Sequence, residues 1–254
     1  MTDAPAIETR GLTKRFLGVT AVDAVDLSVE AGELVSLIGP NGSGKTTLFN
    51  CVTGYLAPDA GRVTFQGRDV TGVTAHRIAR LGIGRTFQLV SVFPRLSALE
   101  NLLTFLQQHQ EESLVGRLVR APRVRRLEAA AVERARSLLD SVGLGGRAEA
   151  PAGTLSYGQR KLLAFAAALM PDPDLLLLDE PAAAVNPTMI EQMKAQIRAL
   201  HRQGKAVLLV EHNMDVVMDI SQRVIVLDHG QKIAEGPPEV VRRDPKVVEA
   251  YFGR

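Results

Sequence analysis

The stretch GPNGSGKTT at residues 39–47 constrains this chain more than any other. It satisfies G-x-x-x-x-G-K-[ST] through Gly39, Gly44, Lys45 and Thr46. The apolar run LVSLI precedes it and the helical pattern KTTLFNCVTGYL follows, with Gly54 as a stop and Pro58 beyond. A buried strand that turns through glycines into a helix aims backbone N–H groups and a helix N-terminus at one point. That arrangement binds phosphate. Lys45 is expected to reach the β- and γ-phosphates of a nucleotide, and the Thr46 hydroxyl to ligate Mg²⁺. Asn41, Gly42, Ser43, Gly44 and Thr47 complete the expected nucleotide cradle.

The rest of the chain reads as strands and helices in alternation. Val25, Leu27 and Val29 alternate with Asp26 and Ser28, the period of a half-buried strand, and Ala31-Gly32 is a turn. A strand pair is expected over 62–68, with turns at Ala60-Gly61 and Gln66-Gly67. Residues 97–142 have a helical pattern. Ser97 and Glu100 stand at capping-box spacing. Leu127, Ala131, Ala135, Leu138, Leu139 and Val142 form one apolar face, with Gly143 as the stop. Buried strands return at 175–179 and 206–210, separated by a helix over 188–203 with Met189, Met193, Ile197 and Leu200 on one face. A hairpin is expected around Asp228-His229-Gly230. Such alternation implies a mostly parallel sheet with helices on its faces, and the helical middle is an insertion into it.

Two further motifs carry chemistry. In LLLLDEP, residues 175–181, a pair of carboxylates follows a buried strand. The C-terminal edge of an open α/β sheet is where ligands bind. Asp179 is placed to hold Mg²⁺, and Glu180, pointing elsewhere, to polarise a water for attack on the γ-phosphate. In LSYGQ, residues 155–159, Ser156 and Gln159 occupy N-cap and N3 of an apolar helix. Gly158 in the first turn is costly for a plain helix start. It allows close approach of a phosphate, so a second anion site is expected, and with it a nucleotide shared between two chains.

Bulk properties exclude several classes. A net charge of +2 is too small to argue for nucleic acid. The single cysteine, Cys51, excludes an internal disulfide and is expected as a packed core thiol. The sequence MTDAPAIETR lacks the apolar segment of a secretory signal, and the longest apolar runs are about half a membrane span. The basic stretch with Arg117, Arg120, Arg123, Arg125 and Arg126 leaves two roles open. One is a solvated face; the other is contact with anionic lipid headgroups or a partner near the membrane.

Together these motifs resemble, over essentially the whole chain, the nucleotide-binding subunit of ABC transporters, in which LSYGQ is a variant of the signature loop. The resemblance implies an α/β P-loop NTPase core, a mostly parallel sheet with flanking helices. It adds an N-terminal antiparallel β subdomain and an inserted α-helical subdomain. Residues 1–87 and 160–254 would form the core with the β subdomain, and 88–159 the insertion, within one ATPase domain over 1–254. It implies ATP with Mg²⁺, and a head-to-tail pair of subunits with each nucleotide between the phosphate loop of one and Ser156, Gly158 and Gln159 of the other. By position, Phe16 matches an aromatic that stacks on adenine. Gln88, in GRTFQ, matches a loop that senses Mg²⁺ and the membrane partner, and His212, in LLVEHN, the switch histidine at the γ-phosphate.

Several stretches are similar to the ATPases of branched-chain amino-acid importers: RTFQ with FPRLSALENL, LSYGQ, EHNMDVVMDIS, and the tail over 234–253. The loop AAAVNP departs, with Ala184 and Val185 where that branch usually has Gly-Leu; Asn186 is usual there. The likeness implies a second ATPase subunit, identical or paralogous, two multi-span permease subunits and an extracytoplasmic solute-binding protein, with no nucleic acid. The chain would then sit peripherally at the cytoplasmic face of the membrane. Phe93, Pro94 and Leu96 are expected to grip the permease. Amides, urea and other small solutes stay open as cargo. A lipid or lipopolysaccharide extractor and a soluble ABC ATPase acting on ribosomes or DNA are the alternatives.

Overall fold

The computed structural model describes residues 4–86, 92–107 and 121–252, without the side chains of 107, 121–125 and 252. The chain divides into two compact units. The first takes the described residues up to Arg85, Asp174–Ala183, and those from Ile197 on; the second takes Thr86–Pro173 and Ala184–Gln196.

The first unit holds two sheets. Strands β1 (Ile7–Phe16), β2 (Val19–Val29), β4 (Ala60–Phe65) and β5 (Arg68–Asp69) form an antiparallel sheet in the order β2-β1-β4-β5. Along β2, Val25, Leu27 and Val29 are buried while Asp26 is exposed, as the alternation predicts. The expected turn at Ala60-Gly61 is instead the start of β4. Gly61 is required there by approach of the neighbouring strand: a Cβ on it would lie 2.3 Å from the Gly11 carbonyl oxygen.

The second sheet has the order β10-β9-β3-β8-β7-β6. It comprises β3 (Leu34–Ile38), β6 (Ile83–Arg85), β7 (Leu175–Asp179), β8 (Ala206–Val210), β9 (Arg223–Asp228) and β10 (Gln231–Gly236). All pairs are parallel except the terminal β9–β10 hairpin. Every residue of β3, β7 and β8 is buried, the signature of a parallel sheet covered on both faces. Register then decides what meets. Leu37 and Asp179 both pair with Val210, so β3, β7 and β8 end level with one another. The segments after Ile38, Asp179 and Val210 therefore emerge side by side at the C-terminal edge. Helix α1 (Lys45–Val52) buries Leu48, Phe49, Cys51 and Val52 in the core that also holds β3 and β7. Helix α2 (Ala75–Arg80) buries Ile78 in the same core.

The second unit is helical, with α3 (Ala98–Gln107), α4 (Ala121–Ser141), α5 (Tyr157–Leu169) and the first turns of α6 (Pro187–Arg202). The Ser97–Glu100 box forms, with Glu100 accepting from Ser97 N–H at 2.7 Å and Ser97 Oγ from Glu100 N–H at 3.1 Å. On α4 the predicted apolar face is buried only toward its end, at Ala135, Leu139 and Val142; Leu127 is 49% exposed. Arg117 and Arg120 lie outside the described residues, and Arg126 is exposed.

Candidate functional site

The phosphate loop sits between β3 and α1. Gly44 has φ of +101°, and a Cβ there would stand 2.2 Å from the Ala21 carbonyl oxygen. Glycine is thus demanded by packing as well as by the turn. Lys45 is buried, and its Nζ donates to the carbonyl oxygens of Gly39 at 2.8 Å and Pro40 at 2.9 Å. Burial pushes its ammonium below the usual lysine range, against the pull of Glu180 and Asp179. Ser43 is buried, Thr47 half-buried, and Asn41, Gly42 and Thr46 are exposed. Phe16, at the end of β1, is 42% exposed and not part of the core, with the Lys14 ammonium 5.5 Å from its ring centre.

Asp179 ends β7. Its Oδ2 accepts from Arg85 Nη2 at 3.2 Å, and both side chains are almost wholly buried. Burial pushes the Asp179 carboxyl up, and Arg85 opposes it. Arg85 also donates through Nη1 to Asn50 Oδ1 at 2.8 Å and Thr53 Oγ1 at 2.7 Å, and its guanidinium lies over Tyr55 at 5.3 Å. Sequence reasoning missed Arg85. Its one signal is a cation closing the apolar-flanked strand that pairs with β7.

Glu180 adopts a left-handed φ of 49°, which a non-glycine residue reaches only under constraint. Its N–H donates to the Val210 carbonyl at 2.9 Å. Its Oε1 lies 3.0 Å from His212 Nε2. The two predicted residues are thus brought together. Glu211 was also missed: it is buried, and its carboxylate accepts from the N–H groups of Ala182, His212 and Asn213. Gln88 lies outside the described residues.

In the second unit the LSYGQ loop forms the predicted capping box. Ser156 Oγ accepts from Gln159 N–H at 3.2 Å, and Gln159 Oε1 from Ser156 N–H at 3.0 Å. The box leaves other first-turn N–H groups without an intrahelical acceptor. A Cβ on Gly158 would stand 2.6 Å from Sδ of the flexible Met189 side chain, which would have to shift to admit it. Asn186 caps α6, its Oδ1 accepting from Met189 N–H at 2.9 Å. Phe93, Pro94 and Leu96 lie on a loop fixed by Asn101, which bonds the backbone of Phe93 in both directions and the Leu96 carbonyl. Phe93 is 54% exposed.

A phosphate loop, an acidic strand end and a histidine converging at one edge of a parallel sheet define a P-loop nucleotide-binding protein. Comparison with known proteins narrows this. Residues 22–183 match the ABC transporter family and 231–254 the family described as "Branched-chain amino acid ATP-binding cassette transporter". The chain is 44% identical to the "High-affinity branched-chain amino acid transport ATP-binding protein BraF" of Pseudomonas aeruginosa, over 98% of each chain. It is 39% identical to the LivG protein of Escherichia coli K12, described in the same words, again over 98% of each. The crystal structure of a nucleotide-free ATP-binding cassette from an ABC transporter superposes with a TM-score of 0.85 at 35% identity, covering 99% of this chain and all of the other. The chain belongs to the ABC transporter family, as an ATP-binding cassette that hydrolyses ATP to drive transport.

Proposed function

We propose that this cassette powers import of a branched-chain or related amino acid through separate membrane permease subunits. The observation that carries the enzymatic part is the Glu180–His212 contact of 3.0 Å at the sheet edge that also carries the phosphate loop. The cargo is supported by the branched-chain amino acid transport that the relatives are named for and by the match over residues 231–254.

The residues divide the work. Lys45 exchanges the carbonyls of Gly39 and Pro40 for phosphate oxygens, charged acceptors in place of neutral ones. Asn41, Gly42, Ser43, Gly44 and Thr47 wrap the phosphates, and Phe16 offers its exposed ring to the base. Glu180 takes a proton from the attacking water, and His212 holds Glu180 in place while reaching the γ-phosphate. The Thr46 hydroxyl, the Asp179 carboxylate and Gln88 are oxygen donors of the kind Mg²⁺ takes. When bound, Mg²⁺ neutralises charge on the phosphates.

Ser156, Gly158 and Gln159 of a second subunit, identical or paralogous, would close the nucleotide site. Two multi-span permeases and an extracytoplasmic binding protein would complete the transporter at the cytoplasmic face of the membrane, with the exposed loop at Phe93, Pro94 and Leu96 meeting the permease. Among the described residues no helix is long and apolar enough to cross a membrane. Glu180→Gln tests the enzymatic part. It should bind ATP, form an ATP-dependent dimer and lose hydrolysis; hydrolysis at the wild-type rate assigns the base elsewhere. Uptake of labelled leucine by vesicles carrying the chain with its permeases tests the cargo.

A further inference from the structure

We propose that Glu211 is a positioning residue for the hydrolytic pair, its carboxylate clamping the loop behind Glu180 to the loop that carries His212. The inference rests on the roles given above to Glu180 and His212.

Glu211 is the first residue after β8 and is 2% exposed. Its Oε1 accepts from Ala182 N–H at 2.7 Å. Its Oε2 accepts from His212 N–H at 3.0 Å and Asn213 N–H at 3.1 Å. Three N–H donors thus converge on one side chain from two segments that are 29 residues apart in the chain. Only an ionised carboxylate offers two acceptor oxygens with no donor of its own to clash. A buried carboxylate is costly unless such bonds surround it. A core strand end does not need one, and an apolar residue there would avoid the cost.

The clamp fixes both ends of the Glu180–His212 contact. Glu180 sits in a left-handed conformation between two anchors, its own N–H on the Val210 carbonyl and the Ala182 N–H on Glu211. His212 has its backbone on Glu211, and Asn213, the next residue, caps helix α7 (Met214–Ile220). The base and its histidine therefore share one frame. Glu211 itself is not a second base: its carboxylate is buried and turned to backbone donors, whereas Glu180 reaches His212.

The test measures ATP hydrolysis and ATP affinity of the full-length chain as wild type, Glu211→Gln, His212→Ala and the double variant. Glutamine keeps one acceptor oxygen and turns an amide N–H₂ toward the donors. A displacement of about 1 Å at a reacting group costs up to ~100-fold. The expected result is a kcat loss of about 10- to 100-fold in Glu211→Gln with ATP affinity within about twofold of wild type. In the His212→Ala background Glu211→Gln should cost less than it does alone, because part of its effect runs through the Glu180–His212 contact. Amide hydrogen exchange over residues 180–184 and 210–214 should quicken in Glu211→Gln. Multiplying losses, ATP affinity falling in step with kcat, or unchanged exchange would overturn the clamp. Hydrolysis lost in His212→Ala but intact in Glu211→Gln overturns the clamp alone. Undiminished hydrolysis in His212→Ala overturns the reading of the pair, and the clamp with it.

Discussion

His212 Nε2 lies 3.0 Å from Glu180 Oε1, although the two residues leave different strands. The contact exists because β7 and β8 are neighbours in register, with Asp179 opposite Val210. Each side chain starts one or two residues past that pairing. A histidine that orients a base, and whose bond to the γ-phosphate strengthens as charge develops in the transition state, acts more on the chemical step than on nucleotide binding. His212→Ala should therefore lower kcat by about 100-fold or more while leaving ATP affinity close to wild type. Steady-state hydrolysis beside equilibrium binding of a fluorescent ATP analogue measures both. A matching loss of affinity would place His212 in ground-state binding.

Arg85 and Asp179 form an ion pair that is almost wholly buried, and Arg85 also bridges to Asn50 of the helix that follows the phosphate loop and to Thr53, its C-cap. Removing one partner of such a pair strands the other charge away from water. Arg85→Ala should destabilise by about 3–5 kcal/mol, read as a lower denaturant midpoint with the slope preserved. Arg85→Lys should recover only part of this, because an ammonium cannot reproduce the planar fork that reaches Asp179, Asn50 and Thr53 together. Full recovery by lysine would show that charge alone matters.

Arg85 and Glu211 also mark the limit of what the sequence makes legible. The strand before residues 39–47, the loop and helix α1 are local, so the spacing of glycines and apolar residues foretells them. Glu180 and His212 are legible singly, as polar residues closing buried strands. Their contact is not, because it depends on which strands are neighbours. Arg85 finds Asp179 from 94 residues away, and Glu211 finds Ala182 from 29. The misread turn at Ala60-Gly61 has the same origin. Gly61 answers to Gly11 on a strand some fifty positions earlier, which no local turn pattern contains.

Cys51 lies on α1, within the core, and burial pushes its thiol up to about 11. The thiolate is the reactive form, so a maleimide should label the folded protein only through unfolding. ATP at about 100 times its dissociation constant adds ~2.7 kcal/mol to the native state. Labelling at about pH 8 should then slow by about 100-fold on adding ATP with Mg²⁺. Mass spectrometry of timed, quenched samples reads this directly. Rapid labelling that ignores ATP would show that Cys51 is reachable in the folded chain.

Arg223 gathers the turn before β3 and the terminal hairpin. Its guanidinium donates to Glu33 through Nε and Nη2 at 2.7 Å, to the Ser28 carbonyl at 2.8 Å, and to Glu235 through Nη1. Burial alone would raise the Glu33 carboxyl, but the bonds from Arg223 and from the Glu30 N–H outweigh it and hold Glu33 below the usual carboxylate range. Burial would raise the Glu235 carboxyl too, but Lys232 foremost, with Arg223 beside it, holds it below the usual carboxylate range. Both folded values lie below the unfolded one. Their contribution to stability is therefore present above about pH 4.5 and is lost as pH falls through the folded values. Arg223→Gln removes the cation that lowers Glu33 and one of the two beside Glu235. The variant should be less stable than wild type near neutral pH, and the gap should narrow as pH falls below about 4.5 and through the folded values. Urea unfolding at about pH 7 and about pH 3.5 checks the sign, since a gap that stays constant with pH would assign the loss to packing of the Arg223 stem and not to its charge.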